Sequence, residues 1–254
     1  MIRAAFRLPF LAMIAAAYLA ACGLARLAPG ARRRCLQAAS RACGRLLRLL
    51  NVRVAVMNRE ALPAAGAGSL IVSNHVSFID VFVLSALAPA VFVPSLDLRD
   101  AGFFGWVTRW GGAYFVDRDN PFALRREIID LAALLRQGFR VALFPEGTTS
   151  DGSGLLPFKT PLFEAAVRAG APVVPVSIVY RTVDGEPLNR ENRDKFFYYG
   201  NMSLARQAFG ALRLKSLDVA VTVGEPQPAG GSRRKEVAAA AEGWIRSKAA
   251  TLPA

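Results

Sequence analysis

From residue 52 onward, short apolar runs rich in β-branched side chains alternate with segments of helical periodicity, and turns containing glycine or proline separate them. The predicted strands are 52–57, 69–73, 91–95, 112–116, 139–144, 172–180 and 213–223, and the predicted helices are 77–88, 102–110, 121–137, 160–170 and 232–249. The least regular region, 181–210, is predicted to be an insertion over a functional site. The alternation predicts an α/β domain over residues 51–254, with a single central mixed sheet and flanking helices.

Basic charge is concentrated before this domain. The first 59 residues contain eleven arginines and no lysine, aspartate or glutamate, whereas the remainder contains 21 basic and 19 acidic residues. The net charge of +13 therefore divides into +11 and +2. Because 53% of the residues are hydrophobic, the chain is not a disordered basic protein, and its single long apolar segment excludes a multi-span transporter. The partner of the basic charge is expected at the N-terminal segment.

A run of 18 uncharged residues lies between Arg7 and Arg26, about the minimum for a helix that crosses a bilayer. Residues 8–25 are therefore predicted to be a membrane anchor, either spanning the bilayer or lying as a shallow re-entrant helix. A lipoprotein signal peptide is the alternative, because Leu19 to Cys22 resembles a cleavage box. The arginines that follow would oppose export by the positive-inside rule.

The next segment, 31–50, reads as an amphipathic helix. At 100° per residue, four arginines fall within about 60° of one another, and a leucine-rich face lies opposite. The basic face contains Arg34, Arg41, Arg45 and Arg48, and the apolar face contains Leu36, Cys43, Leu46, Leu47 and Leu50. Such a helix is predicted to lie apolar side down on an anionic membrane. The alternative is a helix packed on its own domain with solvated arginines. No nucleic-acid partner is expected, because no motif that reads bases is present.

Cysteine and histidine usage restricts the chemistry of the domain. Cys22, Cys35 and Cys43 all lie in the N-terminal segment, and the chain has one histidine, His75. The domain therefore lacks a thiol nucleophile, a disulfide and a zinc site built from several cysteines or histidines, and no metal is predicted. Imidazole chemistry would have to use His75.

His75 lies in a turn between a predicted strand and a predicted helix. Ser77 and Asp80 have the spacing of a capping box, which places Ser77 at the N-cap and Asp80 in the first turn. On a continuous helix His75 and Asp80 would point about 140° apart, but a histidine in the preceding turn can fold back onto the aspartate. The carboxylate would hold one ring nitrogen protonated and leave the other to accept a proton. The alternative is a local helix cap with a satisfied histidine.

Two more polar turns follow predicted strands, at Asp117-Arg118 and at Phe144 to Ser150. In order and spacing over residues 50–225, the three turns resemble the motif blocks of the glycerolipid acyltransferase family, which includes the 1-acyl-glycerol-3-phosphate acyltransferases. The matching positions are Asn74, His75, Ser77 and Asp80 in the first block, Phe115, Asp117 and Arg118 in the second, Phe144, Pro145, Glu146, Gly147, Thr148 and Ser150 in the third, and Pro175 in the fourth.

The resemblance implies an O-acyltransferase that converts 1-acyl-glycerol-3-phosphate to phosphatidate without a covalent acyl-enzyme. His75 would act as general base and Asp80 would orient it. Acyl-carrier protein or coenzyme A would carry the acyl group, and no cofactor is implied. The implied site at the lysolipid comprises Asn74, Ser77, Arg118, Phe144, Pro145, Glu146, Gly147, Thr148, Thr149, Lys159 and Pro175. The expected location is the cytoplasmic face of a bacterial inner membrane, with residues 1–50 as the anchor.

Two departures from the family pattern bear on the acceptor. Thr149 stands where the family commonly has arginine, and Ser95-Leu96-Asp97-Leu98 lacks the lysine usual before the second block. The stretch from Thr149 to Lys159 also resembles the branch that acylates lyso-ornithine lipid, which is the alternative acceptor. Two further alternatives are a non-catalytic membrane scaffold and a hydrolase in which His75 activates water.

Overall fold

The structure is a computed structural model that describes residues 2–249, in which helices cover both sides of one sheet. The strands are β1 (Val52–Met57), β2 (Leu70–Ser73), β3 (Val91–Phe92), β4 (Val141–Leu143), β5 (Val173–Val183), β6 (Glu186–Pro187) and β7 (Leu217–Val223). The helices are α1 (Ile2–Ala25), α2 (Ala31–Leu49), α3 (Ala61–Ala64), α4 (Ile79–Leu87), α5 (Leu96–Arg99), α6 (Gly102–Trp110), α7 (Pro121–Arg136), α8 (Glu164–Ala169), α9 (Leu204–Ala211) and α10 (Arg234–Lys248). Residues 250–254 of the predicted domain lie outside the described residues.

The sheet has the order β1-β7-β5-β2-β4-β3, with β6 paired to β5. The β5–β7 pair is antiparallel and β2 runs parallel to both β4 and β5, so the predicted mixed sheet is confirmed. Val72 of β2 pairs with Leu143 of β4. Because the two strands are parallel neighbours, the turns that follow them leave the sheet at the same edge.

The core lies on both faces of the sheet, as the period-two alternation of a buried strand requires. Ile71 of β2 points into a cluster that includes residues of α2 and α4, whereas Leu70 and Val72 point into a second cluster with α7, α8 and α10. All four residues of β2 are buried. The strand that precedes His75 is therefore held rigidly from both sides.

Two element predictions were wrong. Residues 112–116 do not form a strand: Gly112 has a φ of +88°, outside the extended region, and a single parallel bridge joins Val116 to Ser95. The irregular region 181–210 contains most of α9, whose N-cap Ser203 accepts a hydrogen bond from the Arg206 N–H. The other predicted strands and helices are present, with ends shifted by several residues in places.

The helices α1 and α2 form a hairpin against the domain. Near the start of α1, the Arg7 guanidinium donates to the carbonyls of Leu212 (3.1 Å) and Leu214 (2.7 Å). Near its end, the Tyr18 hydroxyl donates to the Val107 carbonyl of α6 at 3.1 Å. Both ends of α1 therefore contact the same α/β domain.

The two predicted faces of α2 are present, but protein covers the apolar one. The four arginines of the basic face are exposed, whereas Leu36, Leu47 and Leu50 are buried. Both Leu47 and Leu50 belong to the core cluster that contains residues of α4. The prediction that this apolar side faces lipid was wrong, and α2 packs on its own domain with its arginines in solvent.

An apolar surface is exposed beside this hairpin. Within the described part of the chain, α1 is the one helix long and apolar enough to cross a membrane, with a mean hydropathy of 2.0. Only 11% of its most apolar window is buried. The large exposed apolar side chains of α1 and α6 are Ile2, Phe6, Leu8, Phe10, Met13, Leu24, Phe103 and Trp106. Exposed apolar side chains grouped on two neighbouring helices are typical of surfaces that contact lipid or protein.

Candidate active site

The turns after β2 and β4 are joined by hydrogen bonds around His75. The backbone N–H of His75 donates to Glu146 Oε1 at 2.7 Å, and the Ser150 N–H donates to the His75 carbonyl at 2.8 Å. The backbone of His75 is thus fixed by the neighbouring turn on both sides of its Cα atom. The parallel pairing of β2 and β4 makes this contact possible.

The predicted contact between His75 and Asp80 is present. His75 Nδ1 lies 2.9 Å from Asp80 Oδ2, and Asp80 is fully buried. The same carboxylate accepts the backbone N–H groups of Val76 (2.8 Å) and Ser77 (2.9 Å) and the Tyr180 hydroxyl (2.6 Å). Four donors therefore compensate the burial of this charge, as a buried carboxylate requires.

The imidazole ring is held on its face as well as at its edge. It stacks on the ring of Phe144, with centroids 3.8 Å apart and planes 9° apart. The His75 side chain keeps 16% of its surface exposed and lines a cleft. With Nδ1 bonded to Asp80, Nε2 is the ring nitrogen available for proton transfer with a molecule in the cleft.

The third turn holds Glu146 behind His75. Its Oε2 accepts the Leu156 N–H at 2.8 Å, while Oε1 accepts from His75. Burial raises the pKa of Glu146 to about 7, against the opposing effect of the two backbone hydrogen bonds. The side chain is 3% exposed, so Glu146 positions the two turns instead of meeting a ligand directly.

Two residues of the first block are occupied by structural bonds. The Asn74 side chain donates to the Ile178 carbonyl and accepts the Ile178 N–H, both at 2.8 Å, which ties the turn to β5. The Ser77 hydroxyl donates to the Phe196 carbonyl at 2.7 Å. The helix begins one residue later than predicted, with Phe78 as the N-cap residue of α4. The predicted cap is present in part, because the Ser77 N–H donates to Asp80 at 2.9 Å and the Ser77 hydroxyl accepts the Ile79 N–H at 3.3 Å.

The cleft in front of His75 has a volume of about 420 Å³, within the usual range of small-molecule sites. One wall is the sheet edge, and the other is built by α5, α6 and the start of α9. Its lining includes Val81, Phe92, Val93, Leu98, Ala101, Phe144, Tyr198 and Leu204 as apolar groups, and His75, Ser95, Asp97, Thr108, Arg118, Thr148 and Thr149 as polar ones. An apolar cleft with a few polar groups beside a histidine suits an amphipathic substrate.

Arg118 contributes a positive charge to this cleft. Its Nη2 donates to the Val93 carbonyl at 3.2 Å, and its Nε is buried without a hydrogen-bond partner among the described residues. Burial lowers the pKa of the guanidinium, although arginine remains a cation at neutral pH. A guanidinium at a cleft wall can bind a carboxylate or a phosphate.

The remaining predicted residues divide between the cleft and its surroundings. Gly147, with a φ of +79°, lines the cleft together with Thr148 and Thr149. Lys159 lies across Gly147, since a Cβ there would stand 3.0 Å from its side chain, and its N–H donates to the Pro145 carbonyl at 2.8 Å. Pro175 is buried in β5 opposite Val72 and does not line the cleft.

Tyr180 is the main residue that the sequence analysis missed. It lies on β5, 100 residues after Asp80, and its ring packs against Phe196 with centroids 4.7 Å apart. A tyrosine in a largely buried strand was a usable signal, because a buried hydroxyl needs a hydrogen-bond partner. Within residues 2–249 no group of three or more potential ligands is arranged to hold a metal.

Comparison with known proteins gives consistent similarities. The profile of the family described as Acyltransferase matches residues 53–179. The chain is 38% identical over 163 residues to the lyso-ornithine lipid O-acyltransferase of Rhizobium meliloti, covering 61% of the chain and 56% of that protein. It is 32% identical over 158 residues to the 1-acyl-sn-glycerol-3-phosphate acyltransferase of Neisseria gonorrhoeae, covering 61% and 58%. The chain thus spans less than two thirds of the length of these relatives.

A solved structure has the same fold. The crystal structure of the 1-acyl-sn-glycerophosphate acyltransferase PlsC from Thermotoga maritima superposes with a TM-score of 0.64. The match covers 100% of this chain and 99% of that chain at 23% identity. The predicted α/β fold with an N-terminal apolar helix is confirmed.

Proposed function

The chain belongs to the acyltransferase family, and on that premise we propose that it transfers a fatty acyl group from an acyl thioester to a free hydroxyl of a lysolipid. The observation that carries the proposal is the fixed His75–Asp80 pair at the wall of an apolar cleft that also presents Arg118. A scaffold would not need a buried carboxylate with four donors behind a cleft-lining histidine.

In the proposed reaction, His75 Nε2 accepts the proton of the lysolipid hydroxyl while the hydroxyl oxygen attacks the thioester carbonyl carbon. The new C–O bond gives a tetrahedral intermediate, and cleavage of its C–S bond releases the thiol carrier. His75 returns the proton to the departing sulfur, so atoms and charge balance over one turnover. The Asp80 carboxylate stabilises the imidazolium that exists between these steps.

This mechanism involves no covalent acyl-enzyme, because the acceptor hydroxyl attacks the thioester directly. Phe144 and Asp80 fix the plane and the edge of the imidazole, which fits a base that must meet its substrate in one orientation. The acyl carrier, either acyl-carrier protein or coenzyme A, acts as a co-substrate and is released after each turnover.

We infer that α1 associates with one leaflet and does not cross the bilayer. A helix of 24 residues is about 36 Å long, and the Arg7 and Tyr18 contacts hold both of its ends to the α/β domain. A spanning helix would carry one end away from that domain. The exposed apolar groups of α1 and α6 suit insertion into lipid, and α6 also lines the cleft through Thr108. A lysolipid would then enter the cleft from the membrane, on the cytoplasmic face.

Two acceptors are candidates, lysophosphatidate and lyso-ornithine lipid. Lysophosphatidate is the acceptor that the motif resemblance implies first. The second candidate is favoured by Thr149, which lines the cleft where the family pattern has arginine, and by the absence of a lysine from the stretch Ser95 to Leu98. The Rhizobium meliloti relative, which is 38% identical, is also named for its action on lyso-ornithine lipid.

The test uses the purified full chain in mixed micelles, with each lysolipid and each acyl donor, followed by mass spectrometry and a thiol assay. We expect acylated lipid and released thiol in equal amounts, and no thiol release without acceptor. Thiol release without acceptor would identify a hydrolase. Lysolipid binding without thioester consumption would identify a scaffold.

A further inference from the structure

A bridging segment, residues 193–199, joins the turns that follow β2 and β4. The Tyr198 N–H donates to the Val76 carbonyl at 3.2 Å, and the Phe196 carbonyl accepts the Ser77 hydroxyl at 2.7 Å. Val76 and Ser77 come directly after the histidine of the first turn. One end of the bridging segment is therefore fixed to the turn that contains this histidine.

Arg193 attaches the other end of the bridging segment. Its Nη1 donates to the Asp151 carbonyl, and to Asp151 Oδ2 at 3.3 Å. Asp151 directly follows Ser150, whose N–H donates to the His75 carbonyl. The guanidinium also lies over the Tyr199 ring, 5.2 Å from its centroid. Arg193 thus holds the bridging segment to the chain that leaves the turn after β4.

The same 3₁₀ turn carries a second cation, Lys195, in a different setting. The Arg193 side chain is 14% exposed, whereas the Lys195 side chain is 47% exposed and pairs with Asp184 at 3.0 Å. Charge-assisted hydrogen bonds of a mostly buried guanidinium contribute more than an exposed ion pair does. We therefore expect Arg193, and not Lys195, to fix the position of the bridging segment.

The bridging segment presents one tyrosine to the cleft. Phe196 and Phe197 are buried in the core, whereas Tyr198 is half-buried and lines the cleft in front of His75. Arg193 does not line this cleft. A tyrosine offers an apolar ring and a polar hydroxyl, which suits an amphipathic ligand.

Resting on the proposed acyl transfer, we propose that Tyr198 contacts the bound lysolipid and that Arg193 is the positioning residue that holds Tyr198 there. The lysolipid hydroxyl has to reach His75 Nε2, and Tyr198 is bonded to the residue directly after this histidine. Arg193 acts through Tyr198, because its own side chain does not line the cleft.

The test compares Arg193→Met with the matched control Lys195→Met, which removes a cation from the same 3₁₀ turn. We expect Arg193→Met to raise KM for lysolipid about tenfold, the effect of losing a charge-assisted hydrogen bond. Both kcat and KM for the acyl thioester should stay close to those of the wild type, because His75 keeps its contacts with Asp80 and Phe144. Lys195→Met should leave all three constants unchanged.

A double-mutant cycle separates positioning from a general loss of stability. Tyr198→Ala alone should raise KM for lysolipid about tenfold, and adding Arg193→Met to it should raise KM no further. Arg193→Lys replaces the planar fork by a single donor, so it should raise KM about threefold when Tyr198 is present and not in Tyr198→Ala. This milder variant gives the same comparison if Arg193→Met does not fold.

Several results would overturn the proposal. These are an unchanged KM for lysolipid in Tyr198→Ala or in both Arg193 variants, an equal rise in Lys195→Met, and a further rise when an Arg193 variant is combined with Tyr198→Ala. Failure of the proposed function would look different, because the wild type itself would then acylate no lysolipid. If the wild type acylates lysolipid and these constants do not move, acyl transfer stands and the roles of Tyr198 and Arg193 fall.

Discussion

Replacing Tyr180 by Phe removes one hydroxyl from behind the His75–Asp80 pair and leaves the ring in place. The hydroxyl donates to fully buried Asp80 at 2.6 Å, and burial raises the pKa of Tyr180 well above its usual value, so it remains a donor at all working pH values. A hydrogen bond to a charged group contributes about 1.5–3 kcal/mol. Because Asp80 keeps three other donors, we expect a loss of about 2 kcal/mol in the free energy of unfolding.

For a chain of this size, that loss corresponds to a decrease of about 4–8 °C in Tm. We also expect kcat to fall about tenfold, because a less constrained Asp80 holds His75 less firmly in its productive orientation. Tyr180 does not line the cleft, so KM for both substrates should stay unchanged. Steady-state kinetics and thermal melting measure both effects.

The chain offers a matched control in Tyr114→Phe. The Tyr114 hydroxyl also donates to a carboxylate at 2.6 Å, that of Asp130 on α7, away from the cleft. This control should lower Tm and leave kcat unchanged. Full kcat in Tyr180→Phe, or an equal fall in kcat in both variants, would refute a positioning role for Tyr180.

Three further substitutions have defined outcomes. The pKa of Glu146 is about 7 in the native state against an ordinary 4.5, so the native state binds the carboxyl proton more tightly than the unfolded state does. The contribution of this proton to the free energy of unfolding is fully present below pH 4.5 and is lost as pH rises through 7. In urea unfolding, wild type should lose up to about 3 kcal/mol more than Glu146→Gln between pH 4.5 and 8, and parallel pH curves would contradict this. Asn74→Ala leaves the Ile178 N–H and carbonyl without their hydrogen-bond partner, so it should lower the free energy of unfolding by about 3 kcal/mol in the same assay. A loss under about 1 kcal/mol would contradict this. Arg7→Met removes the bonds that hold the start of α1, so hydrogen exchange over residues 2–10 should accelerate, and unchanged exchange would argue against this attachment.

The contact between His75 and Asp80 was predictable because it depends on one turn. A histidine outside the helix can approach a carboxylate in the first turn, and the structure places His75 and Asp80 in contact. That the polar turns after β2 and β4 meet was not predicted, because it depends on the two strands being parallel neighbours in the sheet.

Contacts made over long sequence separations were not predictable in this way. The bond from Tyr180 to Asp80 depends on β5 lying beside β2, and no spacing in the sequence encodes that neighbour. The amphipathic pattern of α2 correctly separated buried from exposed residues, but periodicity does not distinguish a protein surface from a lipid surface. Residues 112–116 have strand composition, yet Gly112 adopts a positive φ and interrupts the extended backbone.

The proposed function depends on His75 moving a proton between acceptor and thiol. His75→Gln removes this step alone, because the glutamine amide can still donate to Asp80 and fill part of the site but has no basic nitrogen. With lysolipid and acyl thioester supplied together, we expect acylated lipid to fall by about 10³-fold while lysolipid binding and Tm stay close to those of the wild type. Turnover within a few-fold of the wild type would contradict it.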